Sequence, residues 1–170
     1  MDKHLIRISG IIEESYTDGV GIRFSVFTQG CAHNCPGCQN PNTHDFKGGC
    51  LVTIESIVAK VLSNPMLDGI TLTGGDPLYQ VDACIELCKQ LKEKSPAMTV
   101  WCYTGFTWEE ILGNPEQKKL LNYIDILVDG PYLESKRQLS LRFRGSSNQR
   151  IIDVSASLQS DGVVLRPEME

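Results

Sequence analysis

Short apolar runs alternate with helix-patterned stretches along this chain, and that alternation limits the folds open to it more than any other feature. Leu5–Ile12, Arg23–Thr28, Gly69–Thr73, Met98–Tyr103 and Ile124–Val128 are rich in Ile, Val and Phe and read as strands. Arg150–Val154 reads as one more. Between the second and third runs, Ile54, Ile57, Val58, Val61 and Leu62 recur at helical spacing. Thr53 is placed to cap that helix and Asn64-Pro65 to stop it. Val81, Cys84, Ile85, Cys88 and Leu91 form a second apolar stripe, opposite Asp82, Glu86, Lys89 and Glu93. Thr107 and Glu110 have the spacing of a capping box, and Pro115 opens a further short helix.

Strand, helix, strand in this order predicts βαβ units with right-handed crossovers. A closed eight-fold barrel takes ~250 residues, and this chain has 170. The expectation is therefore a single α/β domain over residues 1–170: an open, partial (β/α) barrel with a mainly parallel sheet of about five or six strands. The segment 39–49 is polar, with a Pro and two Gly, and reads as a loop. The tail 155–170 reads as either an extra strand or a disordered end.

Two motifs fall at the C-terminal ends of consecutive strands, where parallel α/β folds bind ligands. The first is Cys31-Ala32-His33-Asn34-Cys35-Pro36-Gly37-Cys38, a C-x3-C-x2-C loop after Arg23–Thr28. The second is Gly74-Gly75-Asp76-Pro77, after Gly69–Thr73. Three thiolates are one short of the four that close a [4Fe–4S] cluster or a structural zinc site. A cluster held by Cys31, Cys35 and Cys38 would keep one iron open to a small molecule. Zinc is the rival, with Cys50, His33 or His44 as fourth ligand, although no second C-x2-C or H-x3-H pair is present. A thiol redox sensor is another. Taken alone, Gly74–Pro77 is ordinary turn chemistry.

The remaining candidates carry less. Cys84, Cys88 and Cys102 lie in apolar stripes and read as small core residues, whereas Cys50 stands in a loop as a possible redox or ligand thiol. His4, His33 and His44 have no evident partners and read as surface residues. Arg142, Arg144 and Arg150 surround Gly145–Gln149, a basic loop by its plainest reading.

The motifs together resemble the radical S-adenosylmethionine superfamily. More narrowly, they resemble the anaerobic ribonucleoside-triphosphate reductase activating proteins among the glycyl-radical-enzyme activases. Asp18–Arg23, Gly30–Asn40, Gly74–Leu78, Tyr103–Phe106 with Val128–Gly130, and Arg144–Arg150 carry the likeness, which spans residues 18–150. Gly37 stands where most of the superfamily has an aromatic residue, as is common in this branch, and Val20 stands where a Pro is frequent.

The resemblance implies a [4Fe–4S] cluster on Cys31, Cys35 and Cys38, with S-adenosylmethionine on the open iron. It implies that Gly37, Cys38, Gln39, Gly74, Gly75, Asp76 and Asn148 bind that cofactor. The Gly74–Gly75 backbone would take the amino group, Asp76 a charge-assisted hydrogen bond, and Asn148 a ribose or adenine edge. Arg23 is a further candidate, for the cofactor carboxylate or for a partner protein. The implied reaction is reductive cleavage of S-adenosylmethionine and formation of a glycyl radical on the reductase. A one-electron donor such as a flavodoxin would drive it, and the chain would work alone, as a homodimer or in complex with the reductase. A pyruvate formate-lyase activase or a deazapurine synthase is the nearest alternative.

Composition fits this reading. Charged residues make up 22% and hydrophobic residues 41%, with net charge -5, which argues against non-specific nucleic-acid binding. Seven cysteines, an odd number, with no secretion signal in Met1–Arg7, argue against a disulfide framework. No stretch approaches the ~18 apolar residues of a membrane span. The expectation is a cytoplasmic protein with reduced thiols.

Overall fold

A computed structural model describes residues 4–169. Residues 1–3 of the N-terminal stretch and Glu170 of the tail lie outside the described residues. Seven strands form one open sheet. They are β1 (Leu5–Ser15), β2 (Arg23–Thr28), β3 (Cys50–Thr53), β4 (Gly69–Gly74), β5 (Thr99–Tyr103), β6 (Ile126–Asp129) and β7 (Arg150–Asp153). Their spatial order is β3-β1-β2-β4-β5-β6-β7.

The centre of the sheet, β2-β4-β5-β6, is parallel. β1 and β7 run antiparallel to it, and β3 pairs antiparallel with β1. Five strands thus share one direction, as the βαβ pattern requires. β3 has no counterpart among the strands expected from the sequence, which place its first residue, Cys50, in a loop. Helices fill the crossovers: α1 (Ile54–Ser63), α2 (Val81–Lys94), α3 (Trp108–Gly113) and α4 (Pro115–Lys118), with α5 (Val154–Leu158) after β7. The tail is neither an added strand nor structureless. It forms α5, a single bridge from Leu165 to Ile152, and a last 3₁₀ turn at Pro167–Met169.

Local chemistry sets the helix ends. Thr53 Oγ1 accepts from the Ser56 N–H at the start of α1. The Thr107–Glu110 capping box is complete in both directions. Asn114 caps α4 and Asp153 caps α5. Each cap satisfies backbone donors that the helix itself cannot.

The helices cover one face of the sheet. Their buried stripes (Ile57, Val58 and Val61 of α1; Leu87, Cys88 and Leu91 of α2) merge with Ile6, Phe24, Val26, Ile70, Leu72, Val100 and Leu127 into one core. The strands alternate with period two, so the intervening residues point the other way. That second face holds a separate, smaller apolar group of Trp101, Ile126, Val128 and Ile151. Beside it lie Arg23, Ser25 and Thr71, all fully buried. The helix-free face is therefore partly polar, and it is the face that reaches the candidate site.

Arg23 overturns its reading as a cofactor or partner ligand. Its guanidinium donates to Thr71 Oγ1 at 3.2 Å, Thr99 Oγ1 at 2.6 Å, Thr99 O at 2.9 Å and Ile70 O. It also lies 6.0 Å from the Trp101 ring centroid. Burial lowers its pKa to about 10, opposed by the charges of Asp68 and Asp125. Arg23 ties β2 to β4 and β5 from inside the sheet, where four of its five donors are engaged and the side chain is fully buried.

Candidate active site

A cavity of about 680 Å³ opens at the C-terminal ends of the parallel strands, within the size range of small-molecule sites. Cys31, Cys35, Cys38, Gln39, Gly74 and Gly75 line it. Six of the nine residues proposed from the sequence for the cluster and the cofactor thus share one wall. Tyr16, Thr17 and Asp18 contribute from the β1–β2 loop, Phe27, Thr73 and Tyr103 from strand ends, and Tyr132 and Leu141–Gly145 from the β6–β7 loop.

The cysteine loop is tight. Asn34 has φ +50° and Gly37 φ +71°, left-handed values that Asn and Gly adopt most readily. The Cys38 N–H donates to Cys35 O at 3.1 Å between them. Gly74 has φ +93°, and a Cβ there would fall 2.6 Å from Phe27 Cα. Only glycine lets β4 end this close to β2. The Gly75 N–H donates to Thr28 O and the Asp76 N–H to Gly30 O, which fastens the second motif to the start of the first.

Gly37, Asp76 and Asn148 do not line the cavity. Asp76 is fully buried, and both its oxygens are occupied by the protein. Oδ1 accepts from the Leu78 N–H at 2.9 Å. Oδ2 accepts from Thr104 Oγ1 at 2.8 Å and the Gly105 N–H at 3.0 Å, and pairs with His33 Nε2 at 2.7 Å. Asp76 therefore holds the cysteine loop against the end of β5 and offers no free acceptor. Gly37 backs onto the Glu134 carboxylate. Asn148 Nδ2 donates to Pro131 O at 2.8 Å and steadies the turn after β6.

Two histidines read as surface residues belong to the site. His33, besides Asp76, meets Phe106 edge-on at 4.5 Å. His44 Nε2 stands 3.3 Å from Cys38 Sγ, which also accepts from the Asn40 N–H at 3.4 Å. Hydrogen bonds to thiolate sulfur tune the reduction potential of a bound cluster. Arg150 is not part of a free basic patch: it binds Asp129 at 3.0 and 2.5 Å and Glu109 at 2.8 and 3.2 Å.

The donor set carries a problem of charge. Burial raises the Cys31 thiol pKa, and the nearby Asp76, Cys35 and Cys38 raise it further, against a backbone hydrogen bond from His33. Three thiolates here need a cationic core. Among the described residues, no three His, Cys, Asp or Glu side chains are grouped as ligands of one metal ion. The three cysteines of the loop line the same cavity. A cubane takes one thiolate on each of its irons, so three cysteines hold three of the four. The Tyr103 hydroxyl is buried with no hydrogen-bond partner among the described residues. Burial and the charge of Asp18 push its pKa up, against Arg23. A buried hydroxyl left without a partner carries a desolvation cost.

The chain matches the family model of the 4Fe–4S single cluster domain over residues 17–152. It is 36% identical over 140 residues to the anaerobic ribonucleoside-triphosphate reductase-activating protein of Enterobacteria phage T4, covering 80% of this chain and 86% of that one. The proteins of the same name from Haemophilus influenzae and Escherichia coli K12 are 33% and 34% identical, covering 79% and 78% of this chain and 89% and 88% of theirs. The chain belongs to the family of these reductase-activating proteins. QueE from Escherichia coli overlaps 61% of the chain and 54% of its own at TM-score 0.44 and 17% identity, a likeness too loose to argue from. The group to be housed in this activating-protein family member is a [4Fe–4S] cluster. Three cysteines and the Gly74–Gly75 turn on one cavity of this volume fit a cluster with a small molecule beside it. No helix among the described residues is long and apolar enough to cross a membrane.

Proposed function

We propose that this chain activates an anaerobic ribonucleoside-triphosphate reductase by generating a glycyl radical on it. Cys31, Cys35 and Cys38 hold three irons of a [4Fe–4S] cluster, and S-adenosylmethionine occupies the rest of the cavity. One observation carries the reading: the three thiols and the Gly74–Gly75 backbone line one cavity in a chain whose relatives are named as activators of that reductase. When bound, such a cluster supplies one electron to the sulfonium of S-adenosylmethionine, which frees methionine and makes hydrogen abstraction possible.

The chain's own residues do the positioning. Gln39, Gly74 and Gly75 meet the cofactor from the wall shared with the cysteines. Tyr103 lines the cavity with them. Asp76, Gly37 and Asn148 act through the loops they hold. The face without helices leaves a wide mouth, which suits a polypeptide substrate better than a small metabolite. A closely fitted protein segment would also exclude water from the reacting atoms. A flavodoxin-type carrier serves as electron donor in this reading.

Deuterium placed on the reductase's glycine Cα is expected to appear in 5′-deoxyadenosine when reduced protein, S-adenosylmethionine and reductase are mixed without oxygen. Cleavage with no label transferred would sink the assignment of this substrate. Transfer from a pyruvate formate-lyase instead would redirect the activity to another glycyl radical enzyme.

A further inference from the structure

The loop between β6 and β7 is held firmly at its base and bare at its tip. Ser146, fully buried, accepts from the Leu133 N–H at 3.1 Å, and the Ser147 N–H donates to Lys136 O at 3.0 Å. Gln149 accepts from the Gly145 N–H and donates to Gly130 O. Phe143 takes φ +57°, an uncommon value for a bulky residue, and sets its ring edge-on to Trp101 at 5.4 Å. Arg142 stacks over Phe143 at 5.1 Å.

Beyond these anchors the loop projects. Leu139 is 89% exposed, the most exposed of the large hydrophobic residues among those described. Residues 136–150 carry Lys136, Arg137, Arg142, Arg144 and Arg150 with no Asp or Glu, in a chain of net charge -5. Among the described residues, Lys136, Arg137 and Arg142 form no ion pair. Leu141, Arg142 and Phe143 of the same loop line the cavity.

We infer that this loop is a docking finger for the reductase, with Leu139 seated in an apolar pocket and Lys136 and Arg137 facing an acidic rim beside the glycine-bearing segment. The inference rests on the proposed function and names the surface that recognises its substrate. Unpaired like charges gathered on one rigid loop of an acidic protein steer an oppositely charged partner. An apolar anchor within a polar rim is the anatomy of a protein interface. Phosphate backbones would reward the cations but leave Leu139 in water. The finger also borders the opening through which the substrate segment must enter.

The test uses full-length reductase and the variants Lys136→Glu/Arg137→Glu and Leu139→Ser. The reductase concentration for half-maximal glycyl radical formation is expected to rise about tenfold in each. Added salt should weaken activation by the wild type far more than by the charge-reversed variant. Cleavage of S-adenosylmethionine without reductase should be unchanged, which shows that the variants are folded and loaded. Wild-type dependence on reductase in both variants would overturn the docking role. So would loss of retention on RNA or anionic vesicles with activation intact, since the finger would then serve another partner. Wild type that cleaves the cofactor yet forms no glycyl radical overturns the proposed function itself, and the finger's role with it.

Discussion

Replacing Asp76 by Ala is expected to destabilise the fold by about 3–5 kcal/mol, the range for removing one partner of a buried charged network. Four groups would lose their acceptor: the Leu78 N–H, the Gly105 N–H, Thr104 Oγ1 and His33 Nε2. All lie around a carboxylate with no exposed surface, so water cannot replace it without opening the structure. The damage should spread to the site, because His33 joins the cysteine loop to the end of β5 through this carboxylate. Urea unfolding would show the loss of stability, and anaerobic iron analysis a fall in cluster content. Asp76→Asn keeps the shape and one acceptor, at a cost nearer 1–2 kcal/mol. Equal stability of Asp76→Ala and wild type would refute the organising role.

Cys35→Ala should act in the opposite manner, leaving the fold and removing the chemistry. Cys35 is half-buried on the cavity wall, outside both apolar cores. Its truncation opens no core cavity, and the unfolding midpoint should barely move. Cleavage of S-adenosylmethionine should fall by more than about 100-fold, the upper end of what losing even an outer-shell partner costs a metal site. Cys50→Ala is the matched control. Cys50 is exposed, at the start of β3 on the edge of the sheet, and does not line the cavity. Full cleavage by Cys35→Ala would remove Cys35 from the ligand set.

The parallel frame was legible because its signals are local. Runs of Ile, Val and Phe, caps at Thr53 and Thr107, and stops at Asn64-Pro65 each act within a few residues. β3 was not legible. Its four residues follow two glycines, and they become a strand only by pairing with β1, more than forty residues earlier. The cysteine loop and Gly74–Gly75 could be placed at one mouth because both end parallel strands.

The roles of the polar residues around them could not be read in the same way. Asp76 stands in a motif suggestive of ligand binding, yet its charge is spent on His33, Thr104 and Gly105. His33 has no partner nearby in sequence; its carboxylate is 43 positions away. Arg23 follows a glycine-rich turn that invites a binding role, but threonine hydroxyls and backbone carbonyls of β4 and β5 take four of its donors inside the sheet. A sequence motif shows which residues gather at a strand end. Which of them face the ligand depends on hydrogen bonds between distant segments.

The central claim is that this chain places a radical on a glycine of the reductase. Electron paramagnetic resonance of the anaerobic mixture of reduced protein, S-adenosylmethionine and reductase tests it most directly. The account predicts a glycyl radical signal that requires all three components and is absent with Cys35→Ala. Rapid cleavage of S-adenosylmethionine with the reductase left free of any such signal would contradict it.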